Sequence, residues 1–432
     1  IQSESGTTLV SGTVTATGND GKGGDIQVLG NQVGLIDNAR IDASGKTGGG
    51  TVLIGGDYQG SNSAIQNAET TYVGKDVVIK ADAREAGNGG KVVLWADDRT
   101  AFYGAISARG GATGGDGGNV EVSGKRTLVY RGLADLRAPL GKTGALLLDP
   151  TNYTIAQIDG DLTGAALGAQ LNLANVTIQT DSAGEQAGDI TVNDNVTWTS
   201  ANRLTLSAHN DIWINAVLTN NAGGSLVLRA DSGGSGAGNV FFTGGSATLT
   251  GGGAASIYYN PPAGYGTPTD YSGNFTGVVP TAYMLVNTVN NLQAINTNLA
   301  GKYALGKDID ASATVGWNGG AGFVPLGDNT LIPAQSFTGT FDGLGRTISG
   351  LFINRPGTSY IGMFGGTIGG PTNIIRNVGL VNVNITGGDQ TAGLVAHTGA
   401  SIENCYTTGT VTGQGIIGGV ECRHDHRFIQ HG

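Results

Sequence analysis

One unit recurs along the first third of this chain, and it limits the fold more than any other feature. Its clearest copy is Ile41-Asp-Ala-Ser-Gly, a glycine loop, then Gly49-Gly-Thr-Val-Leu-Ile-Gly-Gly56. Related copies begin at Val14, Ile79 and Ile106, each closing on a glycine pair and a short apolar strand. Strand side chains alternate between two faces, so Ile41 and Ala43 share one face, as do Val52 and Ile54. No single copy carries enough apolar side chains to enclose a core, whereas stacked copies bury a continuous one. The unit therefore predicts an all-β parallel β-helix, or β-solenoid, with one or two short helices and loop insertions. The starts are spaced by 27, 38 and 27 residues. The longer step holds an extra loop around Gly60-Ser-Asn-Ser-Ala-Ile-Gln.

Composition agrees with winding. Glycine supplies 78 of 432 residues without a period of three, which excludes collagen and suits a chain that turns often. Abundant Val, Ile and Thr with only 13% charged residues argues against disorder. The formal charge of −10 comes without a basic stripe, so nucleic acid is not an expected partner. The densest basic stretch, Lys125, Arg126, Arg131 and Arg137, is diluted by Glu121 and Asp135. Two cysteines cannot staple a chain this long. No apolar run reaches the ~18 residues of a membrane span, and the first residues lack a signal-peptide pattern, so residue 1 reads as a cut inside a larger protein.

Register sharpens the expectation. If Val92 and Leu94 point inward, as Val120 and Val122 do, Val93 and Trp95 point outward. Outward Trp95 with nearby Tyr103 is the candidate glycan contact, against packing of Trp95 under a loop. No catalytic residue, metal site or cofactor is expected. Asp97-Asp98, and Asp308 and Asp310 with Asp342, are the best carboxylate groupings, although aspartates at strand ends and turns usually bond backbone. Asp20-Gly-Lys-Gly-Gly-Asp-Ile-Gln-Val28 approaches a calcium-binding nonapeptide but stands alone.

The stretch from Gly90-Lys-Val-Val-Leu-Trp to Gly118-Asn-Val-Glu-Val-Ser-Gly124, with Leu136-Arg-Ala-Pro and Gly144-Ala-Leu-Leu-Leu-Asp-Pro-Thr-Asn-Tyr-Thr-Ile155, resembles the shaft of the filamentous-haemagglutinin family of large exoproteins. That likeness covers roughly residues 10–260. It implies a right-handed winding and export by two-partner secretion through an outer-membrane transporter, which would act on a domain not present here. It also implies an adhesin at the bacterial outer cell surface, with host glycans or surface receptors as partners and no enzymatic activity. From about 285 to 419, segments such as Phe337-Thr-Gly-Thr-Phe-Asp-Gly-Leu-Gly-Arg-Thr-Ile-Ser-Gly-Leu351 and Ala392-Gly-Leu-Val395 resemble GLUG-motif repeats, departing from that pattern at Ala396. These repeats imply further solenoid.

The expected division is 1–155 haemagglutinin-type repeats, 156–282 continued β-helix with a Pro/Gly/Tyr-rich linker at 260–282, 283–419 a short helix with GLUG-type solenoid, and a truncated or frameshifted tail at 420–432. Short helices are expected within Asp161–Leu173 and from Val289 to Leu299, the second capped by Thr288. In the tail, Cys422, His424 and His426 have metal-ligand residue types without a second ligand pair. A toxin stalk and a carbohydrate-active enzyme on the same scaffold are the alternative functions.

Overall fold

The strand ladders of the described residues are parallel, because each turn of the chain brings the next strand back beside its predecessor in the same direction. The computed structural model describes residues 1–182, 186–327, 335–369 and 373–421. Cys422, His424 and His426 lie outside the described residues. The described residues form two compact units, the first drawn from 1–232, 238–257 and 271–280, the second from 233–237, 258–270 and 281–421.

In the first unit the chain visits three ladders in turn. Thr7–Val10, Thr13–Thr15 and Asp25–Val28 form one coil, and Gln32–Leu35, Arg40–Asp42 and Thr51–Ile54 form the next. Each coil thus has three strands where the repeat predicts two. The strand preceding each repeat is hidden in the sequence because its outward position holds Leu9, Gly34, Tyr72 or Ala101, which erases the polar alternation.

The third ladder carries the longest rows of the core. Ile26, Val52, Val92, Val120, Leu146, Val176, Leu204 and Leu226 pair in register, as do Val28, Ile54, Leu94, Val122, Leu148, Ile178, Leu206 and Leu228. All sixteen side chains are buried. A third row, in the middle ladder, runs Val14, Ile41, Ile79, Ile106 and Ala134. The glycine pairs have a steric origin. A Cβ on Gly49 would lie 1.9 Å from the carbonyl oxygen of Ala81 in the next coil, and one on Gly117 would lie 1.8 Å from that of Leu136. Only glycine admits that approach.

At the sixth coil a helix, α1 (Gly164–Leu171), replaces the middle strand. The strand Leu133–Asp135 is paired on one side with Ala105–Ser107, and the missing strand on the other side would leave the N–H and C=O of Ala134 without partners, which is costly inside a protein. Gln170, fully buried, supplies them: its amide oxygen accepts from Ala134 N–H and Tyr130 O–H, and its Nε2 donates to the Ala134 carbonyl. One side chain thus imitates a peptide group.

The second unit is built on Thr281–Val286, Lys302–Leu305, Thr340–Ser349, Ile374–Thr386 and Tyr406–Thr412. Its core is aromatic, with Tyr303, Phe337, Phe341 and Phe364 fully buried. Helix α2 (Val289–Ala294) begins on Thr288, whose Oγ1 accepts from Asn291 N–H, and passes into a 3₁₀ turn, Ile295–Thr297.

Candidate functional site

Outward side chains of the third ladder form rows with one residue per coil. The central row reads Gln27, Leu53, Val93, Glu121, Leu147 and Thr177. The neighbouring row includes Trp95, Ser123 and Asp149. Leu53, Val93 and Trp95 are large apolar groups on the face that would meet water, and they need a cover.

The extra loop provides it. The step of 38 residues against 27 leaves eleven residues, the length of segment 57–67. This segment folds back over the ladder, and Leu53, Val93 and Trp95 pack with Ile65. Trp95 is only 5% exposed. A Cβ on Gly60 would fall 2.5 Å from the Trp95 ring, so the loop backbone lies directly on the indole. The indole Nε1 donates to Asp97 Oδ1 at 3.0 Å.

These contacts correct the expectation that Trp95 and Tyr103 together offer a sugar-stacking face. Trp95 does leave the core side of its strand, but the loop covers it. Tyr103 packs instead against Tyr72, with ring centroids 5.9 Å apart.

Beyond Trp95 the loop seals two carboxylates. Glu121 and Asp149, in adjacent coils, are 2% and 8% exposed. Gln59 N–H donates to both Glu121 oxygens at 3.1 Å, and Gln59 Nε2 donates to Asp149 Oδ2 at 3.2 Å. Gln59 holds a left-handed φ of 52° to do this. Burial pushes Glu121 up to about 7, with the nearby Asp149 charge adding to the effect. Burial likewise pushes Asp149 up to about 6, with Asp181 adding. The adjacent cation is engaged elsewhere: Lys91 Nζ lies 2.5 Å from Asp57 Oδ1. Burial opposes ionisation of Asp57, but hydrogen bonds from Asn62, Lys91 and Tyr58 N–H together hold it down at about 2.

The sequence reading missed Glu121, Asp149 and Gln59. The available signal was the unbroken apolar run Val92-Val-Leu-Trp95 beside an insertion, the mark of a strand covered on both faces.

The other expected carboxylates are not assembled. Asp308 Oδ1 accepts from Thr347 N–H, Asp310 Oδ1 from Ser312 N–H, and buried Asp342 is paired with Arg376 Nε at 2.7 Å. Asp97 and Asp98 border an open polar cleft of about 440 Å³ with Asn31, Asn67, Glu69 and Arg126. Asp98 is paired there with Arg126 at 2.7 Å. Arg137 is paired with Asp135, and Arg131 donates to the carbonyls of Gly160 and Asp161. The basic stretch is thus largely spent on internal partners.

An aromatic pair that is half-buried rather than covered lies in the outward row Thr154, Thr191, Trp213 and Phe241. The Trp213 and Phe241 rings stack with centroids 4.2 Å apart and planes within 19°. Beside the row, Asn215 Nδ2 donates to Asn193 Oδ1 at 2.8 Å across adjacent coils.

Among the described residues no helix is long and apolar enough to cross a membrane. No protein-family model matches the chain. It is 39% identical over 181 residues to halomucin of Haloquadratum walsbyi, a match covering 40% of this chain and 2% of halomucin. It is 38% identical over 104 residues to a putative Gly-rich membrane protein of Evansella cellulosilytica, covering 24% of this chain and 11% of that protein. The chain therefore corresponds to a small part of either relative.

Proposed function

We propose that this chain is a structural shaft of a secreted bacterial surface adhesin, wound as a right-handed parallel β-helix on the filamentous-haemagglutinin plan and continued by GLUG-type repeats. The observation that carries the reading is the register of the first unit, which sets outward side chains in straight rows while aliphatic rows hold the coils together. Such a surface makes many weak contacts at once, and multivalency turns them into firm attachment. The Trp213–Phe241 stack, flanked by the Asn193–Asn215 pair, is the contact face best suited to host glycans or surface receptors, since a flat aromatic face beside amides suits the C–H faces and hydroxyls of a sugar. Export would use an outer-membrane transporter acting on a domain outside this chain. The relative named as a membrane protein supports a location at the bacterial surface.

A glycan array and a cell-binding assay on the purified chain test this. Binding should fall by roughly tenfold in Trp213→Ala, a change at an outward position that leaves the core rows intact. Absence of binding to glycans and cells alike, or undiminished binding by that variant, would turn the reading to a stalk that only displays other domains.

A further inference from the structure

The eleven-residue loop over the third ladder rests on two surfaces with opposite demands. One end lies on Trp95, Leu53 and Val93, which favour closure at any pH. The other end lies on Glu121 and Asp149, which favour closure only when they need no water. Two adjacent carboxylates shut away with neutral donors cannot both remain ionised at low cost.

We propose that segment 57–67 is a proton-gated lid, closed over Trp95 when Glu121 and Asp149 carry protons and lifted from it when both are ionised.

The strand below presents Lys91, held by Asp57. The strand bearing Glu121 presents Ser123, and the strand above it carries Asp149 itself. The next coil brings Gln179, whose Nε2 lies 3.5 Å from Asp149 Oδ2, and Asp181, which faces His209 Nδ1 at 3.4 Å. The lid contributes Asp57, Tyr58 and the Gln59 amides. Partial burial disfavours ionisation of the Tyr58 hydroxyl, and the fields of Glu121 and Asp149 add to that. Among the described residues of these elements no further cation neutralises the pair.

The lid has the parts needed to move. Gly55 at φ 75° and Gly60 at φ 58° have no Cβ to restrict a change of backbone state, one at its base and one on the indole. Its far end is tied by Asn67 Nδ2, which donates to the Gly60 carbonyl and to Asp97 Oδ1. Asp57, held down at about 2, stays ionised through neutral pH, and its contact with Lys91 Nζ can serve as the fixed end. Lifting the segment between these ties hydrates both carboxylates and uncovers the indole.

Hydrogen exchange of the intact chain between pH 5.5 and 8.5, corrected for the intrinsic rate at each pH, tests this. Protection of amides in 57–67 should fall by about tenfold as pH rises from local opening, a fall that amides of the Val120 and Leu148 strands follow only as far as global stability measured by urea unfolding declines. In the Glu121→Gln/Asp149→Asn double variant, protection of the lid should not change with pH. A corrected fall below about threefold in the wild type overturns the proposal, and so does an equal fall in a folded double variant. Should the double variant fail to fold, the wild-type measurement decides alone. Binding at Trp213 plays no part in this readout, so either proposal can fail without the other.

Discussion

Gln170 shows how much one residue can carry in a stacked fold. Replacing it by Leu keeps the volume but strips Ala134 N–H, Ala134 C=O and Tyr130 O–H of their partner in a site without solvent. An unsatisfied buried polar group costs about 1–3 kcal/mol, so Gln170→Leu should lose at least about 3 kcal/mol, read as a lower urea midpoint at unchanged slope. Glu121 gives a prediction of a different kind. Its folded-state pKa of about 7 lies above its ordinary value of 4.5, so the folded chain binds more protons than the unfolded chain between those pH values. Stability from this group is complete below about pH 4.5 and is lost as pH rises through 7, by at most about 3 kcal/mol. Asp149 adds a loss of the same sign up to about pH 6. Urea unfolding at pH 5 and pH 8 should show that decline, and Glu121→Gln should flatten it. That Trp95 leaves the core side of its strand follows from period two alone, and the apolar run Val92–Trp95 beside an insertion signals a cover. But that segment 57–67, about thirty residues earlier, lands on this indole and on Glu121 depends on how the coils stack.

Helix α1 is the element where local preference and packing disagree. Gly164 and Gly168 weaken a helix by propensity, and on the sequence they argue against one. They stand four apart on one face, and that face meets the neighbouring strand: a Cβ on Gly168 would lie 2.2 Å from the Thr197 carbonyl oxygen, and one on Gly164 would lie 2.1 Å from that of Asn195. Gly168→Ala should therefore destabilise by about 1–3 kcal/mol, although the same change in an exposed helix gains about 1 kcal/mol. Thr163 caps the helix, with its Oγ1 accepting from Ala166 N–H, and Thr163→Ala should cost about 1 kcal/mol. Thermal unfolding of the two variants separates packing from capping. Helix α2 was more legible, because Thr288 and the spacing of Val289, Leu292 and Ile295 act within one short segment.

Across the whole molecule, stability is a sum over neighbouring coils, and damage should travel along the rows. Val122 is fully buried between Leu94 and Leu148. Val122→Asp places a carboxylate in that column, and the cost should exceed about 4 kcal/mol. Faster amide exchange in the strands of both neighbours, with a reduced β signal in circular dichroism, checks it. A disturbance confined to the Val122 strand would count against continuous rows. The sequence by itself determined that this chain stacks parallel strands and which aliphatic residues face inward, because period two and the glycine corners recur within each copy and act over a few residues. Only the tertiary structure decided that each coil has a third strand, that a glutamine fills the gap beside α1, and that segment 57–67 closes over Trp95, Glu121 and Asp149. Those features depend on which coil comes to lie beside which, and long-range contact of that kind leaves no spacing in the chain to read.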